Sequence, residues 1–147
     1  MTYIRQLLKK KGTDVWSTSP DVSVYDALLL LAEKNIGALP VLQDGELVGI
    51  ISERDYARKV VLRGKTSMKT PVQEIMVEDV ITVGPQMAIE DAMALMTEKR
   101  IRHLPVIEGT KIVGLISIGD LVKSIIADQE FTINQLENYI RGGVDPR

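Results

Sequence analysis

Displaced by 65 residues, the chain matches itself without a gap, Asp14 falling on Asp79. The run "DVWSTSPDVSVYDALLLLAEKNIGALPVLQDGELVGIISERDYARKVV" is answered by "DVITVGPQMAIEDAMALMTEKRIRHLPVIEGTKIVGLISIGDLVKSII". Matched positions include Pro20/Pro85, Asp26/Asp91, Ala27/Ala92, Glu33/Glu98, Ile36/Ile101, Pro40/Pro105, Gly49/Gly114, Ser52/Ser117 and Asp55/Asp120. A repeat of that length obliges the chain to fold as two copies of one supersecondary unit.

Each copy carries the same succession of local signals. A short strand is expected around Val15–Thr18 and again around Val80–Val83, ending near a proline. Val24, Ala27, Leu28 and Leu31 then share one helical face, as do Ile89, Met93 and Met96. "ALPVL" and "HLPVI" read as apolar strands closed by the turns "QDGE" and "EGTK", and "LVGIIS" and "IVGLIS" as their partners. A second helix starts at each serine. The order is β-α-β-β-α, an α/β (α+β) class. Neither three-stranded sheet can cover both faces alone, so the repeats are expected to pack sheet to sheet with pseudo-two-fold symmetry. The expected organisation is lead-in and first repeat over 1–62, linker and second lead-in over 63–78, second repeat over 79–127, and a C-terminal helix with tail over 128–147. Within that tail, Thr132-x-x-Gln135 reads as a capping box, Ile133, Leu136 and Ile140 as an apolar stripe, and Gly142 as a C-cap.

Composition narrows the function. Hydrophobic content of 45% with 26% charged residues is that of a soluble globular protein. A net charge of −2 argues against a general nucleic-acid binder. The absence of cysteine removes disulfides, thiolate metal sites and cysteine nucleophiles, and one histidine makes a poor zinc site. No apolar run reaches the ~18 residues of a membrane span, and the N-terminus lacks a secretory pattern, so a cytoplasmic location is expected. The methionines at 76, 87, 93 and 96 read as core filler, and "KKK" at 9–11 as a solvated helix end.

The duplicated unit, with "ALPV/HLPV" followed by "GIISERD" and "GLISIGD", resembles a tandem pair of CBS domains, and in particular the small stand-alone CBS-pair proteins. The resemblance covers Asp14 to about Ala127. It implies a regulatory module without catalysis. The implied ligands are adenosine compounds such as AMP, ADP, ATP, S-adenosylmethionine or NAD(H). It also implies homodimerisation into a disc of four repeats and a regulated partner of unknown identity. Neither nucleic acid nor membrane is an expected partner.

The Ser-x-x-Asp pairs have two compatible readings. Ser52 and Ser117 can cap helices, with Asp55 and Asp120 completing capping boxes. A helix N-terminus with a free hydroxyl is also an anion site. An aspartate one turn in can accept hydrogen bonds from both hydroxyls of a ribose, the role that the resemblance gives it. It further implies composite clefts in which the aspartate of one copy meets the pre-strand residues of the other. By that rule Asp55 is joined by Ser52, Arg102 and His103, with Arg54 near the mouth, and Thr18 is a further nucleotide-binding candidate. Asp120 is joined by Ser117, Gly37 and Ala38. Arginine grips phosphate through its planar fork, and an imidazole titrating near ~6.5 adds a pH handle.

Competing classes fare worse. His103, Ser117 and Asp120 have the residue types of a hydrolase triad, yet the first copy has no histidine. The G-x-G-x-x-G fingerprint is absent, so NAD(H) would not sit on a Rossmann turn. The alternative from another class is a ligand-independent dimerisation scaffold.

Overall fold

The computed structural model describes residues 1–12 and 14–142. It is a mixed α+β structure with two small antiparallel sheets, and its residues form two compact units. One unit comprises Thr13–Thr82 with Pro105–Leu115; the other comprises Met1–Gly12, Val83–Leu104 and Ile116–Arg147.

In the first of these, helix α2 spans Val24–Lys34. The Ser23 hydroxyl accepts the Asp26 N–H at 3.1 Å, satisfying one donor of its open first turn. The helix ends on Asn35, whose φ of 54° is left-handed. Strands β1 (Ala38–Gln43) and β2 (Glu46–Ser52) follow as an antiparallel hairpin. Asp44 and Gly45 both have positive φ, 53° and 80°. Such a turn matches the twist of the strands it joins. Val41 faces Gly49 while Leu42 faces Leu47, so the ladder carries an irregularity at that step. The chain then enters the short helix α3 (Glu53–Tyr56) and continues through a π-helical turn over Ala57–Val61. Val24, Ala27, Leu31, Leu39, Val41, Ile51, Val60, Val72 and Ile75 close the core.

The second repeat carries the same pieces, preceded in the chain by a further helix. Helix α1 is Ile4–Lys11 and helix α4 is Ile89–Lys99, which ends on left-handed Arg100, the counterpart of Asn35. Strands β3 (His103–Glu108) and β4 (Lys111–Ser117) form the second hairpin, turning at Gly109 with φ 65°. Helix α5 runs from Ile118 to Gly142. Ile4, Ile89, Ala92, Met96, Leu104, Ile116 and Leu121 are fully buried and belong to the unit that holds Val83–Leu104.

Three expectations change. Val15–Thr18 is not a strand: Thr18 alone forms a parallel bridge to Val41, its N–H donating to Pro40 O and its carbonyl accepting from Leu42. No strand covers 80–83 either. The prolines at 20 and 85 close these segments before a ladder can grow. The C-terminal helix is present, but it continues α5 and does not start afresh at Thr132. Thr132 lies inside α5, where its hydroxyl donates to Asp128 O at 3.0 Å. With no helix breaker between Asp120 and Arg141 apart from the capping-type residues themselves, helix propagation outweighs a restart. The C-cap expected at Gly142 would rest on residue 143, outside the described residues.

The lead-in segments are exchanged. Tyr3 bridges Ala88 in the same way that Pro71 bridges Ser23. Ile4 N–H donates to Met87 O and Val72 N–H to Val22 O, at 2.9 and 2.8 Å. The lead-in at the chain start thus serves the second repeat's helix, and the lead-in at 70–77 serves the first. Among the described residues no helix is long and apolar enough to cross a membrane.

Candidate functional site

Each repeat builds one carboxylate site, at the point where the second hairpin strand becomes a helix. Ser52 is the last residue of β2 and remains extended (φ −130°, ψ 166°), so its side chain and N–H both face the first turn of α3. Asp55 Oδ2 accepts the Ser52 N–H at 2.9 Å and the Ser52 hydroxyl at 3.0 Å. The Ser52 oxygen in turn accepts the Asp55 N–H at 3.3 Å. In the second repeat, Ser117 N–H donates to Asp120 Oδ2 at 2.8 Å and Asp120 N–H donates to Ser117 Oγ at 3.1 Å. The capping-box reading of both pairs is therefore realised.

A second bond, also repeated, brings the pre-strand residue to the helix start. Glu53 N–H donates to Gly37 O at 3.2 Å, and Ile118 N–H donates to Arg102 O at 2.9 Å. Gly37 and buried Ala38 are thus gathered with Ser52 and Asp55, and Ala38 is the ladder partner of Ser52. Thr18 is buried in the same unit, and Arg54 is exposed on α3. Arg102 and His103 belong to the same unit as Ser117 and Asp120. Arg102 is exposed and His103 half-buried.

Both aspartates hold a lysine. Asp55, only 9% exposed, has its Oδ1 3.2 Å from Lys59 Nζ, one helical turn on, and that ammonium also donates to Ile75 O at 3.0 Å. Asp120 Oδ2 lies 2.6 Å from Lys11 Nζ, at the end of α1. The lysine run at 9–11 is therefore not wholly a solvated helix end, because Lys11 is an ion-pair partner. The sequence pattern assigns neither lysine to a carboxylate. Lys59 carried a usable signal, since Asp and Lys four apart on a helix meet. Lys11 carried none.

The charges act on one another. Burial pushes the Asp120 carboxyl up, but the Lys11 hydrogen bond, the Ser117 backbone and the Lys11 charge together hold it below its ordinary value. His103 is pushed below 6.5, chiefly by desolvation and then by Lys11, with Asp120 opposing and Arg102 adding. The imidazole is thus a weaker base than its ordinary value suggests. Among the described residues no group of three or more potential His, Cys, Asp or Glu ligands could hold a metal.

Two copies of a helix, a hairpin and a capped carboxylate define a duplicated α+β module. The chain belongs to the CBS-domain family, whose sequence profile matches residues 5–62 and 72–127. The mitochondrial CBS domain-containing protein CBSX3 of Arabidopsis thaliana is 41% identical over 152 residues, covering 97% of this chain and 73% of that one. A solved CBS-domain protein of Burkholderia ambifaria MC40-6, assigned to signal transduction, is 52% identical with a TM-score of 0.84, covering 87% and 96% of the two chains. The CBS domain pair of the protein MJ0100, solved with 5′-methylthioadenosine and S-adenosyl-L-methionine, is 25% identical with a TM-score of 0.75, covering 84% and 99%. CBS pairs of this stand-alone type are regulatory rather than catalytic.

Proposed function

We propose that this CBS pair is a cytoplasmic sensor of adenosine-containing ligands, of the AMP, ADP, ATP or NAD(H) type, that acts as a homodimer on a partner protein. The observation that carries the reading is the repeated carboxylate at the helix start, Asp55 and Asp120. Each is oriented by a serine and keeps one oxygen or lone pair for a ribose hydroxyl. Ser52, Arg54, Thr18, Gly37, Ala38, Ser117, Arg102 and His103 are the proposed companions of the two carboxylates. Backbone groups and small side chains suit a base and sugar, whereas the cations suit phosphate. The adenosine-type ligands of the MJ0100 pair support the chemical class. The direct test is mass spectrometry of nucleotides released from the purified protein, followed by calorimetric titration with AMP, ATP and NADH. A ligand present at 100 times its dissociation constant raises stability by ~2.7 kcal/mol if it binds only the folded state.

The scaffold reading keeps one specific observation in its favour: both Ser/Asp pairs are already satisfied as capping boxes. Absence of heat and of thermal shift with every adenosine compound would leave the scaffold standing alone.

A further inference from the structure

Helix α5 begins in the body and ends in water. It packs on α4, with Leu121 buried and Ile125 half-buried, whereas every residue from 129 to 141 is exposed. A helical segment of that length is marginal in water without a partner, the more so with Thr132, Ile133, Asn134 and Asn138 in it. Its apolar side chains are not scattered. Val122, Ile126, Gln129, Ile133, Leu136 and Ile140 follow one another at intervals of four, three, four, three and four, the seam of a heptad repeat with a single polar member. The five apolar members range from 42% exposed at Val122 to 71% at Ile140. Lys123, Glu130 and Glu137 run beside the seam at seven-residue spacing. Among the described residues, none of the three takes part in an ion pair within the chain.

We propose that this seam pairs with the same seam of a second copy of the chain, as an antiparallel two-helix coiled coil centred on residue 131. The inference rests on the homodimer reading given above and assigns α5 to its interface. The charges select the orientation. With the helices antiparallel, the charged flanks of the two copies meet: Lys123 faces the partner's Glu137, and Glu137 faces the partner's Lys123. Two opposite-charge pairs then stand against one like pair, Glu130 with the partner's Glu130. With the helices parallel, Lys123 would face the partner's Ile118 and Glu137 the partner's Thr132, and no opposite charges would meet. In the antiparallel register the seam closes apolar on apolar, Val122 on the partner's Ile140 and Ile126 on the partner's Leu136. Gln129 lies beside the two-fold axis, where its amide can reach the partner's Gln129. One polar residue in an apolar seam fixes register at some cost in stability.

The chain has no cysteine, so single cysteines report the geometry directly. Glu130→Cys should cross-link to its own copy through a short bismaleimide, whereas Asn138→Cys, on the opposite face of α5, should not. Leu136→Glu, at an exposed position, should abolish the Glu130→Cys link while circular dichroism shows the body still folded. Lys123→Glu should weaken dimerisation ~10-fold in sedimentation, two attractive pairs having become like-charge pairs, and adding Glu137→Lys should restore it. A link at Leu136→Cys but none at Glu130→Cys would mean a parallel pair and overturn the proposal. A dimer by light scattering in which neither cysteine links would also overturn it, leaving the seam to another protein and the homodimer intact. A monomeric wild-type chain would overturn the homodimer reading, and this inference with it.

Discussion

A Cβ on Gly49 would lie 2.6 Å from the sulfur of Met76 and 3.1 Å from the carbonyl oxygen of Val77. The glycine of "GIIS" is thus fixed by the exchanged lead-in. Val77 pairs with Ile50 in a two-way bridge, N–H to O at 3.0 Å and 2.9 Å, and so draws its strand-like backbone against β2. Gly49→Ala should destabilise the protein by about 1–3 kcal/mol, the usual cost of overpacking. Met76→Ala in the same chain should restore part of the loss, because the thioether can be removed but the Val77 carbonyl cannot. Chemical denaturation of the single and double variants measures both effects.

Asn35 and Arg100 occupy the same left-handed position after α2 and α4, each with φ 54°. Asparagine adopts that conformation more readily than arginine, the cost for a residue with an unhelpful Cβ being about 1 kcal/mol. Arg100→Asn should therefore raise stability by ~0.5–1 kcal/mol. The reverse change at the first repeat, Asn35→Arg, should lower it by a similar amount. Thermal melts of the two variants, moving in opposite directions, check the argument.

Removing a site carboxylate has two consequences that can be separated. Asp55→Ala breaks the capping box and leaves Lys59 without its ion pair, so a stability loss of about 1–3 kcal/mol is expected. Asp55→Asn keeps an acceptor for the Ser52 N–H and should cost less. Both variants should lose one ligand-binding event, because an amide does not reproduce a carboxylate accepting two ribose hydroxyls. If Asp55→Asn binds normally, the aspartate serves the helix alone.

Acid should weaken the fold in two stages with the same sign. The unfolded chain protonates His103 near 6.5, whereas the folded protein resists it, through desolvation first and the neighbouring Lys11 and Arg102 charges next, against Asp120. That contribution to stability is complete above 6.5 and is lost as pH falls through the lowered folded value. Asp120 follows the same logic below its ordinary 3.8: the Lys11 and Ser117 bonds outweigh burial, and the stability is lost as pH falls through the folded value. His103→Gln should flatten the first stage of a melting-temperature profile and leave the second. A profile that stays flat below 6.5 in the wild-type protein would contradict the assignment. Since His103 stays neutral further into the acid range, any strengthening of phosphate binding by its protonation comes at a pH lower than an ordinary imidazole would give.

Self-association should hide the apolar side chains that each chain leaves in water. Leu29 of α2 is 50% exposed, and Phe131, Ile133, Leu136 and Ile140 of α5 are more so. Exposed apolar faces of that extent mark interfaces. Light scattering at micromolar concentration should give twice the chain mass, and Leu29→Glu should lower it. A monomeric mass for the wild-type protein would remove the dimer from the proposed function.

Local order was legible in the sequence because its partners lie three or four residues apart. Ser52 with Asp55, Ser117 with Asp120, and the Asp44-Gly45 turn each specify a backbone geometry on their own. The duplication then doubled every such signal. The apolar spacing of Val24, Ala27 and Leu31 likewise announced the face that is buried. What depended on distant segments was not legible. Val15–Thr18 has strand-like residues but finds a single bridging partner, so only Thr18 joins the ladder. The Thr132 signal for a new helix gave way to continuous propagation through α5, since nothing interrupts the backbone bonds there. Nor could spacing foretell that the first lead-in would pair with residues 85–89, or that Lys11 would reach Asp120 across 109 positions of sequence. Sequence pattern determined the repeat, its caps and its two carboxylates. Tertiary structure alone decided which cation faces each carboxylate, because an ion pair is selected by proximity in space and leaves no period in the chain.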